Sequence, residues 1–260
     1  MQQLKFGALF AREIISTNML HGIDIANWQK GLVIPKDIDF AIMKATGGTG
    51  YVDPCCDNWV QQCKKKNVLW GYYHFACDGY NPDPEAEAIF FYRNTKNYTT
   101  EGIPILDIED ERIDDWGSYA QRFVDKYHAC SGIWPMVYCS ASSLTRFFGY
   151  PLVDLCGLWI AGYPDGRIRG LGDIPNFPYD VSPWAFAAIW QYSANGRISD
   201  YDGDLDINVA FMDEKAWKLY ANPAMSGNTS ELDLPTGGPE KDTKKWTFEN
   251  SKIKVDIELK

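Results

Sequence analysis

The sequence predicts an α/β fold: an irregular, TIM-like β/α barrel with eight strands and about five helices. Three observations carry that expectation. Eight short apolar runs recur along the chain, amphipathic helical segments separate the earlier ones, and helices drop out after about Leu158. Runs that are apolar throughout, without alternation, suit strands covered on both faces of a parallel sheet. An open doubly wound sheet is the competing architecture, but no glycine-rich phosphate loop follows any of the runs.

Taken in order, the strand candidates are Gly22–Ala26, Phe40–Thr46, Val68–Phe75, Ile103–Glu109, Trp134–Ser140, Leu158–Tyr163, Phe186–Ser193 and Asp204–Ala210. The first helix is expected over Cys55 to Lys66, with Trp59, Val60 and Cys63 turned inward. The second opens at Asp83-Pro84-Glu85, an N-cap acid followed by proline in the first turn. The third runs from Asp115 to Ser131. Trp116, Tyr119, Ala120, Phe123, Val124 and Tyr127 recur there at three- and four-residue steps, and Gly132 follows as a C-cap. From Tyr163 to Pro183, Gly, Pro and Asp dominate and no helix fits.

Four segments divide the chain: an N-terminal extension over 1–18, the barrel over 19–221, a flexible linker over 222–245 and a tail over 246–260. The linker reading rests on its Pro, Gly, Ser and Thr content. In the tail, Ile253–Leu259 alternates with a period of two, and a single short strand cannot fold alone. Pairing with the barrel, self-association or the stub of a wall-binding module are all open for it, and the oligomeric state is not readable. The N-terminus offers no convincing secretion signal, because the apolar stretch Phe6–Ala11 is short and is closed by Arg12 and Glu13.

Composition excludes several function classes. A net charge of −10 and a pI near 4.8 argue against binding nucleic acid by phosphate neutralisation. No apolar run is long enough to span a membrane. The seven cysteines form neither a disulfide framework nor a zinc knuckle, so free and mostly buried thiols are expected, with no metal and no cofactor. Ten Trp and fifteen Tyr suit either a large aromatic core or a groove in which flat rings pack against sugar.

Reactive side chains in such a barrel sit at the C-terminal ends of strands. Those ends carry Asp24, His74, Asp107, Glu109, Tyr138, Tyr163, Gln191 with Tyr192, and Asp206. Asp107 and Glu109 are two residues apart on one strand, so they face the same side, roughly 6–7 Å apart along it. Acids inside the apolar run Ile103-Pro-Ile-Leu-Asp-Ile-Glu109 are costly to bury unless paired or used. Crowded carboxylates also raise one another's pKa, which yields a protonated acid beside an ionised base. That is the requirement for glycoside cleavage. A divalent-metal site is the rival chemistry, but barrel metallohydrolases need several histidines and only His74 lies on a strand run. His74 itself fits either a site or a satisfied core position.

Seven segments in sequence order resemble the glycoside hydrolase family 25 lysozymes, the Chalaropsis type. They are Gly22–Gln29, Phe40–Thr46 with Gly50–Pro54, Gly71–Phe75, Pro104–Asp110, Leu158–Tyr163, Ile189–Tyr192 and Asp204–Asn208. The resemblance implies a β/α barrel of eight strands and five helices. It implies cleavage, with retention, of the β-1,4 bond between N-acetylmuramic acid and N-acetylglucosamine in peptidoglycan. It places Glu109 on the family's general acid, Asp107 on its partner carboxylate, and Asp24 and Asp206 on acids framing the centre. Asp107 would orient the substrate N-acetyl group or stabilise positive charge. Either an acetamido oxygen or a carboxylate such as Asp24 would close the intermediate. Tyr138, Trp159, Tyr163 and Gln191 would line the sugar groove, and Tyr73, His74 and Tyr192 are further candidate contacts. The expected partner is the glycan strand of the wall. Without a signal peptide, the enzyme would stay cytoplasmic until released, as a phage endolysin does, or leave by another route. The chain departs from the family at Gly47, where members usually carry Glu. That departure sustains an alternative, a catalytically silent wall-binding barrel. Hydrolysis of another N-acetylglucosamine polymer such as chitin is a third reading.

Overall fold

The computed structural model describes residues 19–79, 82–228, 247–250 and 253–256. Two compact units divide the chain, the first ending at Ser226 and the second spanning Gly227–Lys260. The first holds strands β1 (Leu20–Ile25), β2 (Phe40–Gly47), β3 (Tyr51–Val52), β4 (Leu69–Phe75), β5 (Ile103–Asp107), β6 (Met136–Ser140), β7 (Leu158–Ala161), β8 (Ile189–Ile198) and β9 (Tyr201–Ala210). It also holds helices α1 (Cys56–Lys66), α2 (Pro84–Thr95), α3 (Trp116–Ser131), α4 (Leu152–Leu155) and α5 (Glu214–Ala221). In the second unit β10 (Thr247–Asn250) pairs antiparallel with β11 (Ile253–Asp256). The period-two run of the tail therefore finds its partner in the segment just before it. Residues 1–18, and most of the expected linker, lie outside the described residues; the linker's first part includes a 3-10 helix over Pro223–Asn228.

Eight strands close into a barrel in the order β1-β2-β4-β5-β6-β7-β8-β9, with β9 returning to β1 and β3 appended to β2. Neighbours from β1 to β8 are parallel, as a β/α barrel requires. β9 is antiparallel to both its neighbours. The reason is the connection: two residues, Ser199 and Asp200, join β8 to β9, enough for a hairpin and far too few for a crossover helix. The loss of late helices that the sequence foretold is thus accompanied by reversal of the last strand.

The three expected helices form, two of them with the caps that the sequence indicated. Asp83 accepts from the backbone of Ala86 at 3.1 Å and Asp115 from Ser118 at 3.0 Å, while Gly132 takes a left-handed C-cap at φ 76°. Helix α5 was not foreseen. Asp213 caps it by accepting from Ala216 at 2.8 Å. Strand bounds also shift. β5 stops at Asp107, leaving Glu109 just past its end, β6 starts at Met136 and β8 at Ile189.

Two apolar layers result. Alternate strand residues, among them Ile23, Met43, Leu106, Val137, Ile160 and Ile207, face outward against the helices. The opposite set, including Phe40, Ile42, Ile103, Ile105, Met136 and Trp159, fills the lumen together with Trp217 of α5. The Trp217 ring lies 4.6 Å from Phe40, so α5 packs against the base of the barrel. Gly22 makes room for this filling, because a Cβ there would collide with Phe40. Among the described residues no helix is long and apolar enough to cross a membrane. The seven cysteines are free, and five of them are buried.

Trp217 is fully buried in this lumen packing. Trp217→Ala is expected to lower stability by about 3–5 kcal/mol, the usual cost of emptying a large aromatic site. Urea unfolding of the two proteins measures it, and a loss well under 1 kcal/mol would show that α5 does not hold the barrel floor.

Candidate active site

The strand ends opposite α5 open on a pocket of about 230 Å³ lined by Asp24, Tyr73, Asp107, Glu109, Tyr138, Trp159, Tyr163, Gln191 and Asp206. Every strand that contributes does so through its inward parity. Asp24 lies two residues beyond Gly22 on β1, Tyr73 two beyond Gly71 on β4, and Asp107 two beyond Ile105 on β5. Because β9 is reversed, Asp206 reaches the mouth from the opposite chain direction, and its Cα pairs directly with that of Asp24. The sheet closure thus brings together carboxylates 182 positions apart in the chain.

Asp24 is the best-anchored acid. Its Oδ2 accepts from Gln191 Nε2 at 2.9 Å and from Asn208 Nδ2 at 2.7 Å. The orientation of both amides is fixed from behind. Trp159 Nε1, which can only donate, reaches Asn208 Oδ1 at 2.8 Å. The hydroxyls of Tyr138 and Tyr163 donate to Gln191 Oε1 at 3.0 and 2.6 Å. Each amide carbonyl is occupied, so each NH₂ is left for Asp24. Five side chains on five segments therefore hold one carboxylate oxygen.

The four acids differ in how readily they ionise. Burial pushes Asp24 up to about 6, the Gln191 and Asn208 donors hold it against a further rise, and the charge of Glu109 adds to the rise. Burial also lifts Asp206, which lacks such donors, to about 8, with Asp24 and Glu109 adding to the rise. Asp107 is raised well above the carboxylate range by burial and then by Glu109, and its Oδ1 is buried without a hydrogen-bond partner. Glu109 is raised by burial and pulled back by Lys44. Of the three buried aspartates Asp24 is the most readily ionised, and burial raises the proton affinity of Glu109 beside them.

Two expected sugar contacts are corrected by position. His74 has outward parity on β4 and is fully buried between barrel and helices, 5.1 Å from the Phe123 ring. Its Nδ1 meets Thr46 Oγ1 at 2.8 Å and its Nε2 meets Glu87 Oε2 at 2.9 Å. Burial lowers its pKa, so the ring is neutral, accepting from Thr46 and donating to Glu87. Tyr192 is likewise outward on β8, where its hydroxyl accepts from the Gly172 backbone at 3.2 Å. Both residues support the walls of the site and face away from its interior. Among the described residues no group of three or more potential ligands could hold a metal ion.

Three residues of the site escaped sequence reasoning. Asn208 shares inward parity with Asp206, and that alternation could have found it. Lys44 follows Phe40 and Ile42 on the inward face of β2, a cation in an apolar strand just as Asp107 is an acid in one. Asp78 carried no signal. Its carboxylate pairs with Lys44 at 3.4 Å and occupies the space beside Gly47, where a Cβ would collide with it.

A barrel that gathers neutral and ionised carboxyl groups with aromatic rings at one mouth defines a glycoside hydrolase site. The family model "Glycosyl hydrolases family 25" matches residues 23–201, and the chain belongs to that family. It is 29% identical to the N,O-diacetylmuramidase of Chalaropsis sp over 212 residues, covering 72% of this chain and 96% of that protein. It is 26% identical over 226 residues to YegX of Escherichia coli, covering 77% and 72%. The fold matches the crystal structure of a bacterial lysozyme from Streptomyces coelicolor with a TM-score of 0.66 at 24% identity, over 80% of this chain and 99% of that one.

The raised pKa of Asp206 has a consequence for stability. An unfolded aspartate titrates near 3.9, so the folded protein holds this proton more tightly. The stabilisation is complete below about pH 4 and is lost as pH rises through the folded value of about 8. Thermal melts from pH 5 to 9 should show a falling midpoint, and Asp206→Asn, which stays neutral, should make that fall shallower. An equally steep fall in the variant would assign the pH dependence to other groups.

Proposed function

We propose that this glycoside hydrolase cleaves the β-1,4 bond between N-acetylmuramic acid and N-acetylglucosamine of bacterial peptidoglycan, with retention of configuration. The observation that carries the reading is the gathering of Asp24, Asp107, Glu109 and Asp206 in a single small pocket, where burial raises each of them. Relatives named as muramidase and lysozyme supply the substrate class. Catalysis is assigned to the barrel of residues 19–221. The tail from 246 onward, with its hairpin, is assigned to an accessory role.

Glu109, whose proton affinity burial raises, delivers a proton to the glycosidic oxygen as the bond to the anomeric carbon breaks. The sugar becomes oxocarbenium-like, and the charge of Asp24, held ionised by its two amide donors, offsets the developing positive charge. Asp107, beside Glu109, orients the substrate N-acetyl group, and Asp206 frames the opposite wall. An acetamido oxygen or the Asp24 carboxylate closes on the anomeric carbon, and Glu109, now a carboxylate, takes a proton from the water whose oxygen then displaces that group, which restores the starting state. Tyr73, Tyr138, Trp159 and Tyr163 present ring surface for the apolar faces of the sugars, and Gln191 both holds Asp24 and borders the pocket. The pocket is small beside sites of roughly 300–1,000 Å³ that enclose whole ligands. One ring therefore enters deeply while the rest of the strand lies across the mouth.

The silent-barrel alternative drew on the missing acid at Gly47. Asp78 brings a carboxylate beside that position, which supports the hydrolase reading over the silent one.

Glu109→Gln is expected to abolish release of reducing ends from purified peptidoglycan, a loss of at least about a thousandfold, while the melting curve is preserved. Mass spectrometry of wild-type fragments should find muramic acid at the new reducing ends. Glucosamine there would replace this specificity with another, and near-normal activity of Glu109→Gln would remove Glu109 from its role.

A further inference from the structure

Lys44 brings a positive charge to a site otherwise built from acids. It projects from the inward face of β2, and its Nζ lies 4.6 Å from the centre of the Phe75 ring and 5.0 Å from that of Tyr51. Rings of this kind attract an ammonium but do not fix it, and the four-carbon stem of lysine is flexible. The directional contact is the ion pair with Asp78 Oδ2 at 3.4 Å.

Asp78 is in turn held with unusual thoroughness for a half-exposed loop residue. Arg112 donates to the carbonyls on either side of it, Cys77 at 2.7 Å and Gly79 at 2.8 Å, and its Nε reaches Asp110 at 2.8 Å. Asp110 directly follows Glu109, so the loop that carries Asp78 is tied to the loop that carries the acid. From below, the Cys77 amide donates to Glu87 Oε2 at 2.9 Å, the same oxygen that meets His74. Gly47 and Gly48 leave the volume that the Asp78 side chain and backbone fill, and a Cβ on either would collide with them.

We propose that Asp78 is a positioning residue of the hydrolytic reaction, tethering the Lys44 ammonium at the barrel mouth beside Asp107 and Glu109. The proposal rests on the reading of Glu109 as proton donor. Asp78 touches no reacting atom. It acts by keeping a mobile cation over the ring of Phe75, whose Cα pairs with that of Asp107 across β4 and β5, and there the cation opposes the rise in proton affinity of the two acids.

The sign of the effect separates this role from others. Glu109 works protonated, so the basic limb of the rate profile follows its pKa. With Asp78→Asn the ammonium is released toward water, the acid binds its proton more tightly, and the basic limb moves up, by roughly 0.5 to 1 on the pH scale. If Asp78 acted only as a nearby negative charge, its removal would move the limb down. The other groups facing Glu109 are unchanged in the variant: Asp24 from β1, Asp206 from β9, and Asp107 and Asp110 from its own segment. The hydroxyls of Tyr73, Tyr138 and Tyr163 stay protonated throughout, since burial raises each of them. His74, behind Lys44, is neutral already.

The test is the pH profile of kcat/KM for reducing-end release from purified peptidoglycan. Asp78→Asn should raise the basic limb, Asp78→Glu should restore the wild-type profile, and Lys44→Met should raise the limb as Asp78→Asn does. Combining Lys44→Met with Asp78→Asn should add nothing further, because the tether has nothing left to hold. A limb that stays or falls in Asp78→Asn, or shifts that add in the double variant, overturns the proposal. Glu109→Gln run alongside separates the two readings. Activity that survives it removes the proton-donor assignment and this inference together, whereas an inactive Glu109→Gln with an unmoved Asp78→Asn limb removes the tether alone.

Discussion

The two hydrogen bonds from Gln191 and Asn208 to Asp24 Oδ2 are the point on which the site depends. A lone carboxylate at the end of a filled barrel would be driven to take up a proton, as Asp107 and Asp206 are. Two amide donors keep Asp24 the most acidic of the buried aspartates of the pocket. Those donors are themselves aligned by Trp159, Tyr138 and Tyr163. One network thereby selects which acid carries charge, and it joins β1, β6, β7, β8 and β9 in doing so.

The same network explains why the last strand can run backwards without harm. What the pocket needs from β9 is inward parity at Asp206 and Asn208, and a strand presents alternate residues to one face in either direction. Reversal changes only which end of β9 reaches the mouth. The hairpin from β8 also removes the need for a seventh crossover, which leaves α5 to cover the barrel floor. With Trp217 packed against Phe40 in the lumen, the interior is apolar below and acidic above. That gradient underlies the raised pKa values, since desolvation is the largest influence on all four acids.

Much of the site was legible in the sequence because strand parity is a local property. Asp107 and Glu109 announced themselves as acids in an apolar run, and Asp24, Tyr138 and Gln191 fell at strand ends. His74 and Tyr192 were misread for an equally simple reason. Each sits at a strand end beside a true pocket residue, but one position away, and one step along a strand turns a side chain to the other face. The parity of Tyr73 and Gln191 was available to exclude them. Asp78 was beyond reach, because nothing in a loop sequence states which space its side chain will fill.

By itself, then, the sequence determined the barrel class, the capped helices, the family and the acid pair, all of which follow from periodicity, capping chemistry and motif order within short windows. The tertiary structure decided how β9 runs, that α5 covers the floor, that Asp24 and Asp206 face each other, and that a carboxylate from the loop after β4 stands beside Gly47. These depend on which distant segments share a volume once the sheet closes. The acid pair of Asp107 and Glu109 could be read from one strand, but the proton affinity of each is set by burial and by charges from β1 and β2, and interactions at such range exist only in the folded chain.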